Sequence, residues 1–169
     1  MNAFPPNDLH CFLKLNVGDW LALRSLMDAA TEACSQESLP PAAVVEAEMS
    51  PSWHQADRGE LRITWLEPTQ EQDCGGLTIT APDGSSQQLF FRWDGTILMN
   101  EISGHWTLRG DGCLDLEIRE EERIIKERIW FSKPNLRLRS TLEQFSDGTP
   151  GRASFSSEIR RVSPPQQAS

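Results

Sequence analysis

Stretches in which apolar and polar residues alternate fill the chain from residue 44 onward and predict β-strands. Residues 61–65 alternate most clearly, and turn-forming residues separate the stretches at intervals of about 8–12 positions. Such a series is typical of an antiparallel meander closed into a barrel of about nine or ten strands, which has room for one small ligand. The predicted strands cover residues 44–49, 61–65, 77–80, 88–93, 96–100, 105–109, 113–119, 124–131, 136–145 and 153–162.

Asp-Gly pairs stand between several predicted strands and indicate tight hairpins. In a two-residue hairpin of type I′ both central residues have positive φ, which Asp-Gly tolerates better than most pairs. The sequence therefore predicts type I′ turns at residues 83–84, 94–95, 111–112 and 147–148.

Apolar residues at the beginning of the chain follow a different spacing. Between Asn7 and Ala33 apolar residues recur at helical intervals on both sides of Gly18, which predicts a helical region. Asn7 or Asp8 would cap its first helix, and Asp19 would lie near the start of the second. We expect this region to cover one mouth of the barrel. Residues 1–163 are predicted to form a single, mainly β domain and residues 164–169 a disordered tail.

The amino-acid composition of the chain narrows the classes of molecule that it is expected to bind. The chain has 169 residues and a net charge of -9, which disfavours nucleic acid and anionic membrane. Its apolar stretches fall short of the about 18 residues of a membrane-spanning helix, and no signal-peptide pattern opens the chain, so we expect a cytoplasmic protein. Six tryptophans without any tyrosine suit a pocket for a planar ligand, although indoles also serve as ordinary core residues.

The four cysteines lie far apart and form no C-x-x-C pair. This irregular spacing predicts free thiols in a reducing compartment rather than a disulfide framework. His10 and Cys11 are adjacent, but a structural zinc ion needs four converging ligands, so we expect no metal.

The most informative segment runs from Glu127 to Ser140. Arg137, Arg139 and Thr141 share one face of a predicted strand, and the leucines between and after them share the other. Periodicity alone favours leucines inside the barrel and arginines in water. The alternative is an inward arginine pair about 7 Å apart, which would need anions such as Glu127, Glu158 or two ligand carboxylates. Glu127 itself is either exposed or set on an otherwise apolar inner face.

This segment resembles the signature of the CpcS/CpeS/CpcU type of phycobiliprotein lyase. The likeness rests on Glu127-Arg128-x-Trp130-Phe131-x-x-Pro134-Asn135-Leu136-Arg137-Leu138-Arg139-Ser140. Residues 110–114 are similar to a hairpin of that family, and 153–160 to its closing strand, where Ser156 stands in place of a cysteine. Near the start, Phe12, Gly18, Trp20 and Arg24 match its Phe-x5-Gly-x-Trp-x3-Arg pattern.

The resemblance implies a lipocalin-like or fatty-acid-binding-protein-like barrel with an N-terminal helix. The bound substrate would be a phycobilin, phycocyanobilin or phycoerythrobilin, with no prosthetic group. The activity would be attachment of that bilin to a cysteine of a phycocyanin, phycoerythrin or allophycocyanin subunit in a cyanobacterial cytoplasm or plastid stroma. Glu127 would be catalytic, acting on the bilin by hydrogen bonding or protonation. Further residues would bind the ligand: Arg137, Arg139, Trp65, Trp130, Glu158 and Arg24.

Two departures from the family pattern leave alternatives open. A His-His pair usual after the position of Arg24 is replaced by residues 25–29, and the region after Trp65 is shorter. The chain could therefore be a non-catalytic bilin carrier or chaperone, or one subunit of a heterodimeric lyase. It could also work as a homodimer. A binder of fatty acids or other lipids is a third function compatible with such a barrel.

Overall fold

The computed structural model describes residues 4–28 and 54–162, which form one helix and ten antiparallel strands. The strands close into a barrel in which each pairs with the next in sequence and the first pairs with the last. The mainly β barrel with an N-terminal helix is thereby confirmed. The elements are α1 (Leu9–Asn16), β1 (Gly18–Asp28), β2 (His54–Leu66), β3 (Asp73–Thr80), β4 (Ser86–Arg92), β5 (Thr96–Met99), β6 (Ile102–Leu108), β7 (Leu114–Glu120), β8 (Arg123–Lys133), β9 (Leu136–Phe145) and β10 (Pro150–Arg160).

Helix α1 covers one end of the barrel. Asp8, one of the two predicted caps, accepts a hydrogen bond of 2.8 Å from the backbone N–H of Cys11. Leu9, Phe12 and Leu13 occupy one helical face and are buried inside the barrel end. We call this the closed end, and we call the opposite end, where β1 finishes and β2 begins, the mouth.

The predicted second helical stretch is wrong, because residues 18–28 form strand β1. Trp20 and Ala22 face the barrel interior, but Leu21 and Leu23 on the outer face are apolar as well. With apolar residues on both faces the period of two disappears from the sequence, and the remaining spacing resembles that of a helix. The predicted strand at 44–49, helical residues 29–33 and the tail at 164–169 lie outside the described residues.

The Asp-Gly hairpins are present, but their predicted turn type is wrong. Only the glycine of each pair has positive φ, as at Gly84 (φ 84°) and Gly148 (φ 89°). Each glycine N–H donates to the carbonyl three residues earlier, and each aspartate accepts from the backbone N–H two residues later. These are hairpins with a glycine after a tight turn, a geometry that Asp-Gly also favours.

Gly75 provides a test of packing at the closed end. Its φ is 114°, and a β-carbon there would overlap the ring of Trp65. We expect Gly75→Ala to lower the free energy of unfolding in urea by about 1–3 kcal/mol more than Gly84→Ala. The control shares positive φ but has open space around it. Equal losses of free energy of unfolding in the two variants would show that overlap with the Trp65 ring adds no destabilisation.

Candidate functional site

Both arginines of β9 point into the barrel. Arg137 is only 1% exposed, whereas Leu142 on the other face of the strand is 57% exposed. The pairing of Arg137 with Glu158, and of Glu127 with Thr141, places these acidic residues on the same inner face. The assignment of leucines inside and arginines in water is wrong, and the inward arginine pair is what the structure contains.

Arg137 is held by protein partners through two of its three guanidinium nitrogens, Nε and Nη1. Its Nε donates to Glu158 Oε2, and its Nη1 donates to Oδ1 of Asn16 at the end of α1. The guanidinium carbon lies 4.8 Å from the centre of the Trp20 ring. Burial and the neighbouring Arg139 charge lower the pKa of Arg137 to about 10, so it remains charged at neutral pH. These contacts make Arg137 part of the interface between helix α1 and the barrel strands.

A second arginine, Arg160, also packs on Trp20 and contacts the end of α1. The guanidinium carbon of Arg160 lies 4.4 Å from the Trp20 ring centre, and its Nη atoms donate to the carbonyls of Val17 and Leu15. The indole N–H of Trp20 donates to the carbonyl of Asn16 over 2.8 Å. The last carbonyls of α1, which have no partner within the helix, are therefore satisfied by the barrel wall.

Arg139 occupies the next inward position of β9 toward the mouth. Its Nη1 lies 3.0 Å from Glu127 Oε1, and its Nε lies 3.6 Å from Glu158 Oε1. Burial lowers the pKa of Arg139, but the charges of Glu127 and Glu158 outweigh that effect and hold it above its usual value. Glu158 thus serves both arginines, with one carboxylate oxygen directed to each.

The four charged groups differ in their access to solvent. The side chains of Arg137 and Glu158 are 1% and 2% exposed, whereas those of Arg139 and Glu127 are both 16% exposed. Two positive and two negative groups give a quartet without net charge. The inner pair is sealed by α1 and the outer pair is accessible, so the outer pair is the part that a ligand can reach.

The space inside the barrel is small. An internal cavity of about 60 Å³ is lined mainly by apolar side chains of the strands and α1, together with Asn16, Gln87, Glu127, Arg137 and Arg139. Sites for drug-sized ligands usually measure about 300–1,000 Å³. The interior as packed therefore holds at most a few waters, and a larger ligand must lie toward the mouth or displace side chains.

The other predicted site residues, Trp65, Trp130 and Arg24, lie outside the charged quartet. Trp65 lies beneath α1, with the His10 ring 5.2 Å away and the Lys14 ammonium 3.7 Å from its ring centre. Trp130 is on the outer wall, 6.2 Å from the ring of Phe155. Neither indole lines the internal cavity, and Trp130 faces away from the barrel interior, so it is not placed to contact a ligand there. The ligand-binding role of Trp65 stays a prediction. Arg24 pairs in register with Ser156 on the inner face, and its side chain is exposed.

Sequence reasoning missed Asn16 and Arg160, and the first of these left a visible signal. Asn16 follows Leu9, Phe12 and Leu13 at helical spacing, so it is a polar residue on an otherwise apolar face. A buried amide in that position requires a polar partner, which Arg137 provides. Arg160 had no comparable signal, because a terminal arginine on a strand is ordinarily exposed.

The described thiols are poor nucleophiles. Burial raises the pKa of Cys74 to about 11, and burial together with Asp111 raises that of Cys113. The hydrogen bond to Asp8 raises the pKa of Cys11. Because the thiolate is the reactive form, none of these three cysteines is activated for covalent chemistry.

Two further features are absent from residues 4–28 and 54–162. No three His, Cys, Asp or Glu side chains in this part of the chain come together as metal ligands. Within the same ranges, no helix has the length and apolarity to cross a bilayer.

Comparison with known proteins places the chain among chromophore-attaching proteins. A family model described as CpeS-like protein matches residues 22–161. Chromophore lyase CpcS/CpeS 1 of Paulinella chromatophora is 36% identical over 162 positions, covering 95% of this chain and 92% of the relative. Chromophore lyase CpcS/CpeS of Thermosynechococcus vestitus is 30% identical, covering 90% and 92% of the two chains.

Solved structures support the fold. The S-type phycobiliprotein lyase CPES of Guillardia theta superposes with a TM-score of 0.66 at 20% identity, covering 92% of this chain and 94% of that one. A Nostoc punctiforme protein of unknown function from the DUF3598 family gives a TM-score of 0.54 at 15% identity, covering 88% of this chain and 48% of the other. At these identities the likeness concerns the barrel alone.

Proposed function

Because the chain belongs to the CpeS-like family, we propose that it binds a linear tetrapyrrole at the mouth of its barrel and promotes attachment of that pigment to a phycobiliprotein cysteine. As a member of this family the chain is a chromophore lyase, the name that its relatives carry. The observation that supports the site is the partly exposed Arg139–Glu127 pair on the inner wall, backed by the buried Arg137–Glu158 pair.

In this proposal Arg139 is the residue that binds a propionate arm of the tetrapyrrole. Its side chain is 16% exposed, and guanidinium groups bind carboxylates in a planar, paired geometry. Arg24, exposed and also on the inner face, lies in the same cross-strand row as Ser156 and Arg139 and supplies a second positive group. Arg137 is a positioning residue, because its guanidinium already holds Glu158 and Asn16.

Binding of a carboxylate changes the charge balance of the quartet. Arg139 is already neutralised by Glu127, so a propionate that reaches it adds a third negative charge to the cluster. Two carboxylates near one cation favour protonation of one of them. We therefore assign Glu127 the proton: displaced from Arg139 by the ligand, it takes up a proton and becomes an acid beside the pigment.

The attachment step then needs little from this chain beyond that proton and correct placement. The thiolate of the acceptor cysteine adds to the ethylidene carbon of the tetrapyrrole, forming one C–S bond while the C=C bond becomes single. Glu127 gives its proton to the pigment, which makes that carbon more electrophilic, and the pigment keeps this hydrogen once the C=C bond has become single. The proton released by the acceptor thiol then returns to Glu127. The remaining acceleration of the reaction comes from holding one face of the pigment toward the acceptor cysteine.

The pigment is a phycobilin such as phycocyanobilin or phycoerythrobilin, and the acceptor is a phycocyanin, phycoerythrin or allophycocyanin subunit. The proposal places the reaction in a cyanobacterial cytoplasm or plastid stroma, where such acceptors are made. It includes association with a second lyase subunit, either a copy of this chain or a related one.

The direct test mixes the purified full chain with phycocyanobilin or phycoerythrobilin and several apo-subunits. We expect a covalent, zinc-fluorescent product on at least one acceptor, formed many times faster than without the lyase. An absorbance shift of the bilin with no covalent product on any acceptor would instead indicate a carrier. If neither bilin shifts but a fluorescent fatty acid binds, both the lyase and the carrier proposals are wrong.

A further inference from the structure

Two guanidinium nitrogens inside the barrel have no hydrogen-bond partner among the described residues. They are Nη2 of Arg137 and Nε of Arg139, and both atoms are buried. The carboxylate oxygen Oε1 of Glu158 lies 3.6 Å from Nε of Arg139, which is too far for a hydrogen bond. Because a buried N–H of a charged group is destabilising without an acceptor, both nitrogens need one.

The protein oxygens beside these two nitrogens already serve other nitrogens of the same arginines. Oε2 of Glu158 accepts from Nε of Arg137, and Oδ1 of Asn16 accepts from its Nη1. Oε1 of Glu127 lies 3.0 Å from Nη1 of Arg139. The missing acceptor is therefore best supplied by a small molecule inside the barrel.

The internal cavity provides the space for such a molecule. Its volume is about 60 Å³, and Arg137, Arg139 and Gln87 are among its lining residues. One water molecule takes up about 30 Å³, so the cavity has room for about two. Gln87 belongs to β4, which is separated from β9 by β8, β7, β6 and β5 on one side and by β10, β1, β2 and β3 on the other. The cavity therefore has guanidinium groups on one wall and an amide on the opposite wall.

Charge favours a neutral ligand in this cavity. The quartet of Arg137, Arg139, Glu127 and Glu158 has no net charge, and most of the other lining side chains are apolar. An anion would leave an uncompensated charge in these surroundings, and a cation would face the N–H donors. Water accepts hydrogen bonds from the arginines and also donates to the amide oxygen of Gln87. A buried water usually makes about three hydrogen bonds, which these groups can supply.

We propose that the cavity is a binding site for two ordered water molecules. One accepts hydrogen bonds from Nη2 of Arg137 and Nε of Arg139, and the second connects it to the amide of Gln87. The two waters complete the hydrogen bonding of the buried arginine and join the opposite walls β9 and β4. Gln87 thereby becomes a polar partner of the quartet without touching it. The proposal does not depend on what the mouth of the barrel binds.

A crystal structure of the full chain at about 1.5 Å resolution tests the site directly. We expect two water peaks in the cavity, one of them within about 3.2 Å of both nitrogens. Crystals grown in sodium bromide should show no anomalous peak there. A bromide peak would identify an anion site, and a cavity without ordered density would mean that the two nitrogens find their acceptors elsewhere. Either result would overturn the proposal.

The role of Gln87 is tested in solution by oxygen-17 magnetic relaxation dispersion, which counts long-lived internal waters. Gln87→Met keeps the length of the side chain and removes the amide, so we expect about one such water fewer than in wild type. Gln88→Met is the matched control, because Gln88 is exposed on the outer face of the same strand, and its count should equal that of wild type. Equal counts in Gln87→Met and wild type would contradict the water bridge between the two walls.

Discussion

Replacing Arg137 with methionine is expected to lower the free energy of unfolding by about 3–5 kcal/mol, measured by urea denaturation. The substitution removes the main partner of Glu158, a carboxylate only 2% exposed, and the partner of the buried Asn16 amide. Arg139, at 3.6 Å, is too distant to replace the lost hydrogen bond. A buried charge without its partner is far more costly than an exposed one.

The double variant Arg137→Met/Glu158→Leu separates this structural role from ligand binding. It removes one charge of each sign, so the remaining Arg139–Glu127 pair stays neutral. We expect it to recover most of the lost stability, because replacing both members of a buried pair with apolar groups is often nearly neutral. It should also still bind the pigment, since Arg139 is untouched. A stable single variant, or a folded double variant without pigment binding, would contradict the positioning role.

Loss of pigment transfer after substitution of Arg137 therefore has two explanations, unfolding and loss of ligand binding. The resemblance to the lyase family treats Arg137 and Arg139 alike, and from the sequence both are candidates for binding carboxylates. In the structure only Arg139 is accessible, because α1 covers Arg137 through Asn16. Reduced transfer by an Arg137→Ala variant would therefore report unfolding as much as chemistry.

The strands after β1 and the helix α1 could be predicted because their patterns are one-sided. An inner apolar face and an outer polar face produce a period of two, as at 61–65, and the cap of α1 follows from Asp8. The hairpin positions followed from Asp-Gly, although their turn geometry did not. What sequence periodicity detects is the contrast between two faces, not the strand itself.

The two largest errors in the predictions from periodicity come from apolar residues on the outer faces of β1 and β9. β1 resembled a helix because Leu21 and Leu23 are apolar on its outer face. The leucines of β9 appeared to be core residues for the same reason, although they face outward. In β1 the apolar outer face removes the period of two, whereas β9 keeps it and differs only in that its charged face is the inner one.

Parity along β8 could have corrected one site assignment without any structure. Trp130 is three residues from Glu127, and residues an odd number apart on a regular strand face opposite sides. An inward Glu127 therefore excludes an inward Trp130, which the structure places beside Phe155 outside the barrel. Contacts between distant segments, such as Asn16 with Arg137, have no such local rule.

Arg139 and Glu127 are expected to give opposite results in pigment binding, although they form one ion pair. Arg139→Gln removes the group assigned to the propionate and should weaken binding about 10- to 100-fold. Glu127→Gln removes the charge that competes for Arg139, so binding should be unchanged or tighter. Transfer by Glu127→Gln should nevertheless fall by about 100-fold or more, because an amide cannot donate an acid proton. Absorbance titration measures binding, and zinc fluorescence of the acceptor measures transfer.

Proton uptake on binding distinguishes this mechanism from simple charge pairing. The quartet of Arg137, Arg139, Glu127 and Glu158 is neutral before the ligand arrives, so a bound propionate should bring about one proton with it. Calorimetric titrations of wild type in buffers of different ionisation enthalpy should show that uptake, and Glu127→Gln should show none. Arg62→Gln, on the outer face of β2, is a matched loss of a paired arginine and should behave as wild type in both measurements. Binding without proton uptake in wild type would mean that Glu127 keeps its charge, and the acid role assigned to it would then be wrong.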